Sequence, residues 1–372
     1  MARKSVREIE EEIEGRRAVA GPPDIKAGLS TGSTLLNLAL TRTTDVGFFP
    51  DKFYLFVGDS SSGKSMLSLT CFAEAMLNPL YKDHRLIHDN AEDGALMDLK
   101  QFFGKRVAER IESPAKGSKF SSTVEELYYH IDDAFKDGRP FIYVLDSMDA
   151  LDTEADQDKF DEQKKAHAKD EEAKGSFGMA KAKLNAAGQR RLAAKLKGSN
   201  SIVIFISQTR DETDPMKAKF NKRRRSGGKA LKFFAHAEMW TSLVGSVTRR
   251  VGGKDRKTGV YAKIDVQKNR QTGRNVAVEV PILNSIGIDD VGSCVGYLLE
   301  EGAWKERKEG KGTVVDTDGF SAVAAPREPL CDQIVEDGQV EQLRSLVGRV
   351  WRSVEDKLAP ARRSKYAVED DE

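Results

Sequence analysis

The chain is short of cysteine, of long apolar runs and of net charge, and each shortage bears on what it can be. Its three cysteines, Cys71, Cys294 and Cys331, are odd in number and far apart in 372 residues. They build neither a disulfide framework nor a CxxC zinc site, which points to a reducing, cytoplasmic setting. No stretch approaches the roughly 18 consecutive apolar residues of a membrane span, and the opening MARKSVREIEEEIEG lacks the plan of a secretory signal. No membrane partner is expected. Lys plus Arg less Asp plus Glu is 60 − 59 = +1. That total does not exclude a polyanionic partner, because the charges are strongly segregated along the chain. Apolar residues make up 39% of the sequence, enough to fill a sizeable core, and the length allows one large core with appendages or two to three domains.

Residues 1–28 are polar, with a short helical pattern through Val6, Ile9 and Ile13 that stops at Gly21-Pro22-Pro23. They read as an N-terminal arm or linker available for a subunit contact. Residues 29–290 form the expected core. Four apolar runs there have strand character: Phe53–Val57, Arg85–His88, Phe141–Leu145 and Ser201–Ile206. Each leads into polar or glycine-rich residues and then a helical pattern, the signature of βαβ units around a parallel sheet. Met239–Gly245, Tyr261–Val266 and Val276–Leu283 follow closely enough to form an antiparallel extension. The expected class is α/β, with a mostly parallel central sheet and helices on both faces. Residues 291–358 read as a small C-terminal region, charged and glycine-rich between Gly302 and Ala325 and amphipathic-helical between Asp332 and Leu358. Residues 359–372 are a basic, then acidic, tail.

Gly58-Asp59-Ser60-Ser61-Ser62-Gly63-Lys64-Ser65 is an unbroken GxxxxGK(S/T) motif with a strand entering and an apolar helix leaving. Its glycines let backbone N–H groups curl around phosphates, and the helix N-terminus adds partial positive charge. Lys64 is expected to reach the β- and γ-phosphates of ATP, and the Ser65 hydroxyl to ligate Mg²⁺. A second magnesium carboxylate belongs at the end of a neighbouring buried strand, where Phe141–Leu145 delivers Asp146. Helix capping alone would also put an aspartate there. For the group that orients the attacking water, Glu92, Asp89 and Asp93 all stand just past a predicted strand. Gln208, past another strand, is placed either to sense a γ-phosphate or merely to end that strand.

Two charged segments follow these strands. From Arg210 to Lys232 there are nine basic residues (Arg210, Lys217, Lys219, Lys222, Arg223, Arg224, Arg225, Lys229, Lys232) against Asp211, Glu212 and Asp214. Without apolar periodicity in its middle, the stretch at about 209–228 reads as a cationic loop opening from the nucleotide site, suited to DNA phosphates. A solvated charged face is the plain alternative. The segment at about 153–178 is a second, mixed-sign loop, whose charge could serve only to keep it soluble.

Together these segments resemble the RecA family of strand-exchange recombinases, and most of all its short bacteriophage versions, over roughly Leu29 to Asp289. Leu29-Ser30-Thr31-Gly32-Ser33 is similar to the family's ISTGS. Asp89-Asn90-Ala91-Glu92 resembles its DAE with the catalytic glutamate, which singles out Glu92. Phe141–Ala150 resembles VIVVDSVAAL, and Ser199–Gln208 resembles SNTLLIFINQ, whose glutamine couples ATP to the DNA loop. The most specific match is Gly227-Gly228-Lys229-Ala230-Leu231-Lys232-Phe233-Phe234-Ala235 with GGNALKFYA, which general P-loop ATPases lack. Val266–Arg270 resembles VVKNK, whose two basic residues reach the neighbouring subunit's triphosphate, so the resemblance implies trans-acting Lys268 and Arg270.

The resemblance further implies a RecA-like P-loop ATPase core with two DNA-binding loops. Lys183, Arg210, Lys222, Arg223, Arg224, Arg225, Gly227, Gly228 and Lys229 are its expected DNA contacts. It implies ATP with Mg²⁺, single- and double-stranded DNA, a helical homo-oligomeric filament, and single-strand-binding or loader proteins as further partners. The expected activity is DNA-dependent ATP hydrolysis driving homologous pairing and strand exchange. The competing readings are a RecA-fold hexameric helicase and a mediator paralogue that does not exchange strands. The sequence departs from the family at Asn284, where an aromatic residue stacks on adenine in the bacterial protein, and after Gly292, where the large bacterial C-terminal domain finds no match.

Overall fold

The computed structural model describes residues 24–93, 97–167, 179–211, 223–225, 228–310, 312–317, 320 and 327–362. Most of the N-terminal arm, the acidic Glu369–Glu372 cluster, Lys222 and Gly227 lie outside the described residues.

In chain order the elements are α1 Thr34–Thr41, β1 Lys52–Gly58, α2 Lys64–Leu77, β2 Arg85–Asp89, β3 Ile111–Glu112, α3 Val124–Lys136, β4 Phe141–Leu145, α4 Glu154–His167, α5 Met179–Leu196, β5 Ile202–Asp211, β6 Arg223–Arg225, α6 Lys229–Phe234, β7 Ala237–Val251, β8 Lys254–Asn269, β9 Ala277–Leu283, β10 Gly287–Ile288, α7 Asp290–Glu300, β11 Lys305–Glu309, β12 Gly312–Asp316, α8 Arg327–Glu336 and α9 Val340–Leu358. Short helices over Leu99–Phe103 and Lys105–Ala108 precede β3. The sheet order is β10-β9-β8-β7-β1-β5-β4-β2-β3, with β6 pairing β5 off this path. Pairs among β1, β2, β3, β4, β5 and β7 are parallel, whereas β7–β8, β8–β9 and β9–β10 are antiparallel. This is the expected mostly parallel α/β sheet with its antiparallel extension.

The apolar runs are continuous because both faces of the sheet are covered. Successive side chains of a strand point to opposite faces, and the two faces feed two cores. Tyr54, Phe56, Ile142, Val144, Ile202 and Ile204 join the core under α1, α2 and α7. Phe53, Leu55, Val57, Tyr143, Leu145, Val203 and Phe205 join the core under α3, α5 and α6. The C-terminal region packs into the first of these: Trp304, Leu330, Leu343 and Trp351 belong to the same cluster as β1 and α2. Asp290 ties the junction, accepting from Thr34 N–H (2.6 Å) and Thr34 Oγ1 (2.8 Å) while facing Arg344 at 3.1 Å. Among the described residues no helix is long and apolar enough to cross a membrane.

Three expectations need correction. The first charged segment is helical where described, as α4. Thr153 starts that helix by accepting the Asp156 N–H at 3.1 Å, and no glycine or proline interrupts the next fourteen residues. Its lack of an apolar stripe concealed it, and Phe160 remains exposed. The cationic segment is not a plain loop either. Its ends pair as strands, with Thr209 opposite Arg225, Arg210 opposite Arg224 and Asp211 opposite Arg223. Finally, the weakly patterned stretch after Gly302 contains the β11–β12 hairpin, anchored through the buried Trp304 and Val315.

Candidate active site and nucleic-acid interface

The carboxyl ends of β1, β2, β4 and β5 converge, as open α/β sheets require of a ligand crevice. At β1 the chain turns through Gly58–Gly63 into α2. Gly63 has φ +88°, and a Cβ on Gly58 would lie 2.1 Å from Thr241 Oγ1, so this cradle accepts only glycine at both places. Ser62 Oγ is 2.6 Å from Thr241 Oγ1 and donates to Asp59 O at 2.7 Å, which braces the loop against β7. Ser60 and Ser61 lie on its exposed outer side, Ser61 at φ +61°. Lys64 is buried, its ammonium donating to Asp59 O within its own P-loop at 2.6 Å. Burial lowers the Lys64 pKa, against the pull of Asp146, Glu92, Asp59 and Asp149.

Ser65 Oγ donates to Asp146 Oδ2 at 2.5 Å, so the two oxygen ligands expected for Mg²⁺ are already together. Burial raises the Asp146 pKa, and the nearby Glu92 adds to that, while Ser65 and Lys64 oppose it. Among the described residues no cluster of three or more His, Cys, Asp or Glu side chains could hold a metal. The donor set nevertheless fits Mg²⁺, which takes one carboxylate, a hydroxyl, water and phosphate oxygens rather than an all-protein cage.

Glu92 is held at both ends of its carboxylate. Gln208 Nε2 donates to Oε1 at 2.8 Å and Ser147 Oγ donates to Oε2 at 2.9 Å. Its own N–H bonds Asp146 O at 3.0 Å. The rival Asp89 is fully buried and used inward, accepting from Ser121 N–H (2.9 Å), Ser121 Oγ (2.6 Å) and Tyr143 OH (2.6 Å). Asp93 occupies a turn at φ +50°. Geometry therefore separates the three acids that spacing left open, and Glu92 is the one facing Gln208.

Several supporting residues carried little sequence signal. Asp149 accepts the Gln208 N–H at 2.6 Å and lies 3.8 Å from Arg210, so one carboxylate fixes both the glutamine and the start of the hairpin. Thr209 Oγ1 bonds Asp59 of the P-loop. Ser147 and Asp149 lie within three residues of Asp146 and could have been found by asking what holds the next strand, whereas Thr241 is buried near the start of β7, far along the chain from the P-loop it braces.

The cationic residues divide. Arg210 is exposed at the hairpin's start, and Lys183 is exposed on α5. The backbones of Arg223, Arg224 and Lys229 stand in β6 and at the start of α6. Gly228 has φ +83°, and a Cβ there would lie 3.2 Å from Ala182 Cβ, which brings the end of the hairpin against the helix carrying Lys183. Arg225 corrects the sequence expectation of a DNA contact. Its side chain is 8% exposed and its guanidinium pairs with the buried Glu238 at 2.7 Å.

Lys268 and Arg270 do not join the nucleotide site of their own chain. Arg270 N–H bonds His236 O, whose residue in turn bonds Phe53 O, five positions before Gly58 on β1. At ~3.3 Å per residue that is about 16 Å along the strand. Lys268 Nζ donates to Lys232 O at 2.5 Å and Phe233 O at 2.8 Å, and Arg270 donates to Phe233 O at 2.8 Å. Both cations thus sit on the carbonyl end of α6, where a helix terminus favours positive charge. Burial and the adjacent Arg270 bring the Lys268 pKa down to about 8.

The chain is similar in sequence to known proteins. The family described as the RecA N-terminal domain matches residues 142–289. The chain is 26% identical over 292 residues to Protein RecA of Cytophaga hutchinsonii, covering 74% of this chain and 71% of that protein. It is 28% identical over 288 residues to Protein RecA of Bartonella bacilliformis, covering 74% and 72%. Protein RecA of Thioalkalivibrio sulfidiphilus is 26% identical over 294 residues, covering 76% and 74%. The matched stretch runs from β4 through β10 of the central sheet, and the likeness to these RecA proteins stands at 26–28% identity.

Proposed function

We propose that this chain is a DNA-dependent ATPase of the RecA type that polymerises on single-stranded DNA in the cytoplasm and exchanges it with a homologous duplex. The observation that carries the reading is the bond between Gln208 and Glu92. It joins the group positioned to orient the attacking water to the first residue before a cationic hairpin, so nucleotide state and DNA grip share one side-chain contact.

On this reading ATP lies over the P-loop with its phosphates in the Gly58–Gly63 cradle, and Lys64 leaves Asp59 O for the β- and γ-phosphates. Ser65 and Asp146 would hold Mg²⁺, which would supply neutralisation of phosphate charge. Glu92 orients water and accepts its proton, aided by the two donors that fix its carboxylate. Gln208 exchanges Glu92 for the γ-phosphate and so reorients the segment from Arg210 to Lys229 on the DNA backbone. Arg210, Lys183, Lys222, Arg223, Arg224 and Lys229 grip phosphates, while Gly227 and Gly228 allow close backbone approach. Lys268 and Arg270 serve the ATP of the next subunit, which requires a head-to-tail interface and therefore an open filament or a ring. The match at Gly227–Ala235 favours the filament. The test is joint-molecule formation between single-stranded circles and homologous duplex with ATP and Mg²⁺. Exchange that depends on homology and is lost in Lys64→Ala supports the reading, and ATP-driven unwinding without exchange contradicts it.

A further inference from the structure

We infer that Glu238 is a positioning residue that ties the returning strand of the cationic hairpin to the shelf carrying Lys268 and Arg270, so one hairpin reports to two ATP sites. The inference rests on the reading above and extends it. The hairpin's outgoing arm follows Gln208 on β5 and meets its own P-loop through Thr209 and Asp59. Its returning strand ends at Arg225, directly opposite Thr209 in the β5–β6 register, and turns the other way. Arg225 Nη1 pairs with Glu238 Oε1 at 2.7 Å and Nη2 donates to Gly228 O at 3.0 Å. Glu238 is 1% exposed, and its second oxygen lies 3.2 Å from the Lys232 ammonium. The Lys232 carbonyl accepts from Lys268, and Glu238 is the register partner of Lys268 across β7 and β8.

Two cations from two elements, Arg225 and Lys232, therefore pair with a single buried carboxylate, and Lys268 lies across the strand register from it. Removing one member of such a buried pair leaves an uncompensated charge, whereas removing both need not destabilise. A pull on the hairpin by bound polyanion loads Arg225, and Glu238 hands that load to the α6 shelf rather than to the chain's own nucleotide.

The experiment measures ATP hydrolysis with and without single-stranded DNA, alongside thermal melting, for wild type, Glu238→Gln, Arg225→Met and the double variant Arg225→Met/Glu238→Gln. Glu238→Gln should keep its DNA-independent turnover and lose about tenfold in DNA stimulation, within the range typical of coupling between sites. The double variant should recover the melting temperature lost by the singles yet stay unstimulated. If stimulation returns together with stability, or if the single variants are stimulated like wild type, the pair is only a structural brace and the inference is overturned. Wild type that DNA does not stimulate would overturn the proposed function as well, and so distinguishes the two failures.

Discussion

The two ends of β1 carry opposite electrostatic plans. At the carboxyl end four acids, Asp146, Glu92, Asp59 and Asp149, act on one buried cation, Lys64. Further back along the strand the buried acid Glu238 pairs with Arg225 and Lys232, and burial together with Arg270, Lys232 and Arg225 lowers the Lys268 pKa against the pull of Glu238. Neither end by itself balances a triphosphate: the first supplies acids for a metal with a single lysine, the second supplies cations in excess of its one acid. On the proposed reading, the two ends meet head to tail on two subunits and complement each other around ATP. A closed single-subunit site would have placed both on one edge, and the strand register does not allow that.

Substitutions at either end can break this complementarity in different ways. The largest effect is expected at the acidic end: Glu92→Gln should cut turnover by about 10²–10⁴-fold, the range for losing a general base, while ATP still binds and DNA stays held. Quench-flow hydrolysis beside a nucleotide-binding titration separates the two quantities. Next, Arg270→Ala should lower DNA-stimulated turnover by about 10³-fold, as loss of a trans cation does in phosphoryl transfer, and leave ATP affinity of the isolated subunit unchanged. A weaker ATP affinity in the monomer would instead place Arg270 at its own site.

Smaller effects sharpen the contrast. The Asp146 pKa is raised on folding, so the stability this group contributes is present below its unfolded value and is lost as pH rises through the folded one. Asp146→Asn should therefore raise the melting temperature of the nucleotide-free protein at pH 7 by about 2 °C, and the gain should shrink as pH falls toward ~4. The same variant should lose the further stabilisation that Mg²⁺ and ATP give wild type. At the basic end, Lys268 titrates near 8 in the free subunit, so raising pH to about 9 discharges it. Assembly-dependent hydrolysis should then decline above pH 8 in wild type and persist further into the alkaline range in Lys268→Arg, whose guanidinium does not titrate.

The sequence made the acidic end legible and the basic end only partly so. The P-loop, Asp146 and the strands around them are set by local order: a glycine cradle, an apolar run, then one acid. Glu92 could not be separated from Asp89 and Asp93 by spacing, because what distinguishes them is which partner each faces, and Ser121, Tyr143 and Gln208 arrive from distant segments. Arg225 was misread for the same reason. Within a run of arginines its identity promises a phosphate contact, but a β-hairpin alternates its side chains, and the acid that captures it, Glu238, stands beyond the next helix. The helix α4 escaped detection because a solvated helix without an apolar stripe has the same pattern as a charged loop.

The central claim, that each ATP is served by two subunits, is tested most directly by mixing two inactive variants. Glu92→Gln lacks the acidic half of a site and keeps Lys268 and Arg270, while Lys268→Ala/Arg270→Ala lacks the basic half and keeps Glu92. Equal mixtures on single-stranded DNA should recover about a quarter of wild-type ATP hydrolysis, the share of head-to-tail interfaces that random assembly makes intact. A mixture no more active than its components would contradict a site shared between subunits.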